Sequence, residues 1–198
     1  MNNCIYTTQN ELLLKTLTVF YRTEDAEGNY NPNNNLDKML KIITGESKIS
    51  LRIVDWFATN YAKKYYTLYN IEKSNDNVAR RFKVYDDYKL KLKAYSKKRF
   101  DPFCRWDRIN IPYTGGKFIE TTIGQLNFFK WALENKVIDY IEQNYNEIEK
   151  DMNNRNSTSK RKETIGDNTK TRKKREELSV SATKSIKKEK VEIVVQFN

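Results

Sequence analysis

Histidine is absent from this chain, and cysteine occurs only at Cys4 and Cys104. Without imidazole there is no His-based triad or general base, and the common zinc hydrolase sites are excluded. Two distant cysteines with no C-x-x-C spacing make neither a zinc finger nor a disulfide scaffold, so a reducing compartment is expected. No apolar run approaches the roughly 20 residues of a membrane span. The N-terminus lacks the apolar core of a signal peptide, and a soluble, intracellular chain with no membrane partner is expected. With only three prolines and six glycines, the few enforced turns become informative.

What is abundant is positive charge. Thirty-seven Lys and Arg against 26 Asp and Glu give a formal charge of +11 over 198 residues, and the pI is near 9.4. A strongly basic chain favours polyanionic partners, nucleic acid first. The excess of Asn, Lys, Ile and Tyr also matches an A+T-rich coding sequence, so local clusters carry more weight than the total. The length accommodates one well-buried domain and an appendage.

Thr8-Gln9-Asn10-Glu11 has capping-box spacing and opens a helix whose Leu13, Leu17, Phe20 and Tyr21 face a core. A loop over Glu24–Asn35 precedes a helix from Leu36 to Thr44, with Gly45 as its C-terminal cap. Ser50 caps a third helix that buries Ile53, Val54, Phe57 and Tyr61. Tyr65–Ile71 is β-favouring and reads as a strand. Phe82–Lys98 fits both periods, but its length and its Lys and Leu content favour helix. Asp101-Pro102 ends it. Arg108–Tyr113 and Lys117–Thr121 flank Thr114-Gly115-Gly116 as a hairpin, with Pro112 marking an edge or bulge. Thr122-Ile123-Gly124-Gln125 has capping-box spacing again and launches a long helix through Met152, bent near Asn135. Phe128, Phe129 and Trp131 make that helix too apolar for one buried stripe, so burial on two sides is expected.

Beyond Met152 the composition turns polar and basic. The expected organisation is a mainly helical α+β domain over residues 1–152, with a β-hairpin and small antiparallel sheet. A basic disordered linker follows over 153–178, and then a C-terminal segment over 179–198 with a strand at Lys190–Phe197. That strand, with Val191, Ile193, Val195 and Phe197 on one face, seeks a sheet edge in the domain or in a protein partner.

Two basic constellations stand out. Arg80–Arg108 holds eleven basic and four acidic residues, interleaved with aromatic rings, a combination suited to single strands whose bases stack while cations track phosphates. Its candidate contacts are Lys97, Lys98, Arg99, Arg105, Trp106 and Arg108. The second is the tail, Lys160-Arg161-Lys162 and Arg172-Lys173-Lys174-Arg175. Its spacing matches a bipartite nuclear-import signal, and its charge suits salt-dependent phosphate contact. Asp101, Asp107 and Glu120 bracket the hairpin near Lys117, as in a Mg²⁺-dependent nuclease. However, Glu120 is followed by Thr121 and Thr122 where that pattern wants Glu-x-Lys, and Asp107 has Arg105 and Arg108 as ready ion partners.

Four blocks carry a family likeness: RIVDWFATNYAKK, KLKAYSKKRFDPFCRW, IETTIGQLNFFKWALENKVIDYI and RKKREELSVSATKSI. In this order they resemble a group of small basic proteins encoded by nucleocytoplasmic large DNA viruses. The resemblance implies a virus-encoded protein made in infected cells, for which a viral factory, the nucleus or the virion is the expected location, and it favours viral DNA or RNA as partner. It carries over no catalytic residue.

The residues are best read as a non-enzymatic nucleic-acid-binding accessory protein without cofactor or metal. A virion structural or assembly protein is the alternative, and a metal-dependent nuclease a weaker third.

Overall fold

The computed structural model describes residues 8–22, 31, 34–72, 79–113, 117–163 and 187–190. Helix α1 (Gln9–Phe20), α2 (Asn35–Thr44) and α3 (Leu51–Trp56) come first. A π-helical turn (Phe57–Tyr61) joins α3 to the short α4 (Ala62–Lys64), and strands β1 (Leu68–Glu72) and β2 (Ala79–Lys83) follow. Then come α5 (Val84–Arg99), β3 (Arg108–Pro112), β4 (Lys117–Thr122), α6 (Ile123–Glu134), α7 (Val137–Gln143), α8 (Tyr145–Glu163) and β5 (Lys187–Lys190). The fold is α+β, as expected, with β1–β2 an antiparallel ribbon and β3–β4–β5 a three-stranded antiparallel sheet.

The caps form as their residue types require. The Thr8 hydroxyl accepts from the Glu11 amide at 3.3 Å, and Glu11 Oε2 accepts from the Thr8 amide at 2.9 Å. Ser50 Oγ accepts from the Ile53 amide at 3.3 Å, and Gly45 closes α2 at φ 80, where a side chain would be strained. At the start of α6 only half the capping box is made. Thr122 Oγ1 accepts from the Gln125 amide, but the Gln125 side chain turns away to donate to the Pro102 carbonyl.

The long helix expected from Thr122 is three helices. Asn135 and Asn144 each donate a side-chain hydrogen bond to the carbonyl four residues back, on Trp131 and Tyr140. These bonds compete with the helical ladder and break it twice. The first break, where Lys136 takes φ 55, is the expected bend; the second was not foreseen. Phe128, Phe129 and Trp131 are all buried, so α6 is covered on two sides.

Tyr65 and Tyr66 lie in a turn rather than in the strand expected there, and β1 begins only at Leu68. Its partner β2 was not anticipated, because Arg80, Arg81 and Lys83 hide the single buried Phe82. Helix α5 settles the two-period ambiguity of its segment in favour of helix. Helix α8 continues to Glu163, well past the boundary at Met152. Ile148 and Met152 anchor its start, and adding turns to a nucleated helix is cheap. Strand β5 pairs with β4, Lys117 opposite Lys190. The hairpin turn 114–116, the rest of the linker from 164 and the run 191–198 lie outside the described residues.

The core converges on Phe100, which is buried against Phe128, Trp131 and Tyr88 with ring centroids 5.5, 5.7 and 5.9 Å apart. Beside it, Gly124 of α6 lets two backbones approach closely. A Cβ there would stand 2.8 Å from Cys104 Cβ and 3.1 Å from the Lys98 carbonyl oxygen. Gly124→Ala should therefore lower stability by about 1–3 kcal/mol, as overpacking of a rigid site does. Urea unfolding followed by circular dichroism checks this, and an unchanged midpoint would show that the junction yields.

Candidate nucleic-acid interface

The turn after α5 is shaped by one strained residue and a row of hydrogen bonds. Ser96 departs from helical geometry at φ 60 and ψ 167 and swings Lys97, Lys98 and Arg99 off the axis of α5. The following backbone is tied to the start of α6. The Asp101 amide donates to the Gly124 carbonyl at 3.3 Å, Gln125 Nε2 to the Pro102 carbonyl at 3.1 Å and Thr122 Oγ1 to the Cys104 carbonyl at 3.3 Å. Asn127 Nδ2 donates to the Arg99 carbonyl at 2.8 Å. A backbone held this way presents its side chains from a fixed frame.

An open depression of about 600 Å³ forms on that frame, lined by Lys97, Lys98, Asp101, Arg105, Trp106 and Asp107, with Phe103 and Cys104 beneath. Trp106 is 74% exposed, an unusual place for so large an apolar ring. Lys98 Nζ lies 2.9 Å from Asp107 Oδ2, with both groups more than half exposed, a pairing weak enough to exchange for a ligand anion. Asp107 is thus taken by Lys98, not by Arg105 or Arg108, and its left-handed backbone (φ 53) is one that aspartate tolerates.

Four of the sequence candidates therefore share one depression: Lys97, Lys98, Arg105 and Trp106. Two others point elsewhere. Arg99 Nη1 donates to Gln9 Oε1 of α1 at 2.8 Å, and Arg108 Nη1 pairs with Glu120 Oε2 at 3.0 Å along the hairpin. Glu120 and Asp107 are thus engaged by different cations. Lys160, Arg161 and Lys162 lie on the helical backbone of α8, whereas Arg172, Lys173, Lys174 and Arg175 fall outside the described residues.

One residue of this neighbourhood escaped sequence reading. Asp55 on α3 has its pKa pushed up to about 6, by burial first and then by the negative charge of Asp101, with Lys97 pulling the other way. Asp101 is raised too, chiefly by burial, against the Phe103 amide and Lys97. The charge of Lys97 thus acts on two carboxylates, Asp101 and, 42 positions before Lys97 in the chain, Asp55. Nothing in the local sequence marks Asp55, which reads as one polar residue on the outer face of an amphipathic helix.

Comparison with known proteins gives a family and a relative. Residues 7–197 match the model of a family described as being of unknown function (DUF7197). The chain is 42% identical over 183 residues to "Uncharacterized protein L507" of Acanthamoeba polyphaga mimivirus, an alignment covering 78% of this chain and 68% of that protein. No solved structure matches.

The raised Asp55 carboxyl predicts a pH dependence of stability. A folded pKa of about 6, above the ordinary 3.8, means that the native state holds the proton more tightly than the unfolded chain. The stabilisation is complete below about pH 4 and is lost as pH rises through 6. Asp55→Asn should therefore be more stable than the parent at pH 7.5, by about 1–2 kcal/mol, and equal to it near pH 4. Urea unfolding across that range measures the gap; a gap that widens towards acid would contradict the assignment.

Proposed function

The chain belongs to this DUF7197 family and is similar to a mimivirus protein, and from that premise we propose that it is a viral nucleic-acid-binding accessory protein. It is non-enzymatic and serves transcription, replication or genome packaging in the infected cell. The observation that carries the reading is Trp106, 74% exposed in the depression that Lys97, Lys98 and Arg105 line. Three cations beside a flat ring meet the two needs of a nucleic-acid contact, phosphate neutralisation and base stacking. The frame beneath them is tied to α6, so little ordering is required on binding.

The basic tail extends the contact. Lys160, Arg161 and Lys162 follow the domain on α8, with Arg172–Arg175 further along the chain. A segment of this charge adds sequence-independent affinity and speeds encounter.

Fluorescence anisotropy with labelled DNA and RNA oligonucleotides across a salt series tests the proposal. Affinity should fall steeply as salt rises. Replacing Lys97, Lys98 and Arg105 with alanine should reduce the log–log salt slope by about 2–3, one phosphate contact each. Trp106→Ala should weaken binding without changing the slope. Absent binding, or affinity indifferent to salt, refutes the reading.

A further inference from the structure

A larger groove, of about 1010 Å³, lies between the turn after α4 and the first half of α8, and its lining includes Tyr61, Tyr65, Tyr66, Lys64, Lys150 and Arg155. We propose that this groove binds an unpaired stretch of nucleic acid, with a base stacked on Tyr66 and its neighbouring phosphates held by Lys150 and Arg155. The inference rests on the nucleic-acid reading above and deepens it by naming a second site and the single-stranded form of the ligand.

Tyr66 is the first reason. It is 86% exposed, and its backbone is left-handed at φ 50, a conformation that costs a tyrosine roughly 1 kcal/mol. Its ring makes no hydrogen bond or aromatic pairing among the described residues. Glycine would relieve the strain. Leu68, 51% exposed, and Tyr65, 50% exposed, continue the apolar rim.

The groove walls are also held in place. Asp151 of α8 gathers the Lys64 ammonium, Trp56 Nε1 at 3.1 Å and the Tyr65 hydroxyl at 3.2 Å. Burial raises the Asp151 carboxyl, but the hydrogen bonds from Lys64 and Trp56, the Lys64 charge and the bond from Tyr65 outweigh it and hold it below the usual carboxylate range. The Tyr61 and Tyr65 rings lie 4.5 Å apart between centroids. Arg155 rests over Trp56 at 5.3 Å and donates to Asn60 Oδ1 at 2.8 Å. The π turn supplies the geometry. Its extra residue shifts the phase of the helix after Phe57, and Tyr61, Lys64 and Tyr65 come round to meet α8. Such turns recur at functional sites.

Charge selects the ligand. Lys64, Lys150 and Arg155 face two lining carboxylates, Glu147 and Asp151. Asp151 already accepts from three donors, and Glu147 accepts from the Tyr61 hydroxyl at 3.4 Å. Lys150 makes no ion pair among the described residues. From Arg155, α8 rises about 10 Å to Lys162, so the helix that forms one wall carries the basic cluster onward. In a duplex the bases are stacked inside and cannot meet a ring in a concave groove, whereas an unpaired strand offers base and phosphate together. An acidic peptide would use the cations and leave the rings idle.

The test compares the full chain with Tyr66→Ala, Tyr66→Gly and the Lys97/Lys98/Arg105 alanine triple variant. Anisotropy is read with a labelled single-stranded 20-mer, the matching duplex and a poly-glutamate peptide. Single strand should bind more tightly than duplex, and Tyr66→Ala should weaken single-strand binding about 5- to 150-fold, the range for losing one stacked base, while leaving the duplex unchanged. Tyr66→Gly should lose the same affinity while unfolding at equal or higher urea, which separates binding from folding. If both Tyr66 variants bind single strand normally but the triple variant does not, the groove inference fails and the charged turn stands. Binding lost in no variant, or no binding at all, refutes both. Tyr66-dependent capture of poly-glutamate without single-strand binding overturns the inference in favour of an acidic protein partner.

Discussion

The backbone of residues 99–106 is stapled to the first turn of α6, and much of the remaining structure depends on that junction. Phe100 fills the core on one side of it, and the Arg99, Pro102 and Cys104 carbonyls are taken by Asn127, Gln125 and Thr122 on the other. Each such bond contributes about 1 kcal/mol net, and burying a phenylalanine contributes about 1.5–3 kcal/mol. The larger effect is cooperative. If α6 moved, the turn would lose its hydrogen bonds, Phe100 its ring partners and β4 its continuation into the helix. Gly124 makes the approach feasible, since any side chain there would separate the two backbones.

That junction also decides which charges are available. The Arg80–Arg108 segment has a large basic excess, but charge counted along a chain is not charge on a face. Ser96 turns Lys97 and Lys98 outward, while Arg99 reaches α1 and Arg108 lies along the hairpin against Glu120. Lys97, Lys98 and Arg105 line the depression beside Trp106, together with Asp101 and Asp107. The Lys98–Asp107 pair is solvated and gives way readily.

The two candidate surfaces are connected through α3. Asp55 faces the Lys97 side, and its neighbour Trp56 donates to Asp151 in the wall of the groove. Adjacent residues on one short helix thus belong to different sites, and the π turn that follows lets the second site form. Both surfaces combine exposed rings with cations on anchored backbone, which is the arrangement a flexible, charged and stackable ligand requires.

Local rules accounted for much of this fold. Capping at Thr8, Ser50 and Thr122, the glycine stop at Gly45, the hairpin and the two-sided burial of α6 all follow from residue type and spacing, because each is decided within a few neighbouring positions. The break at Asn144, the strand around Phe82 and the turn at Tyr65-Tyr66 were not legible. There local preference is balanced or points the wrong way, and packing chose. The candidate contacts divided along the same line. That residues 97–108 are basic and aromatic was visible in the chain; that Lys97, Lys98, Arg105 and Trp106 meet while Arg99 and Arg108 diverge was not. Nor could sequence bring Asp55 within the field of Lys97 or place Arg155 over Trp56, since these pairs join positions 42 to 99 residues apart. By itself the sequence determined the segments, their ends and their chemistry, which depend on short-range sterics and hydrogen bonding. Only the tertiary structure decided which charges share a surface, because side-chain direction depends on how distant backbones pack.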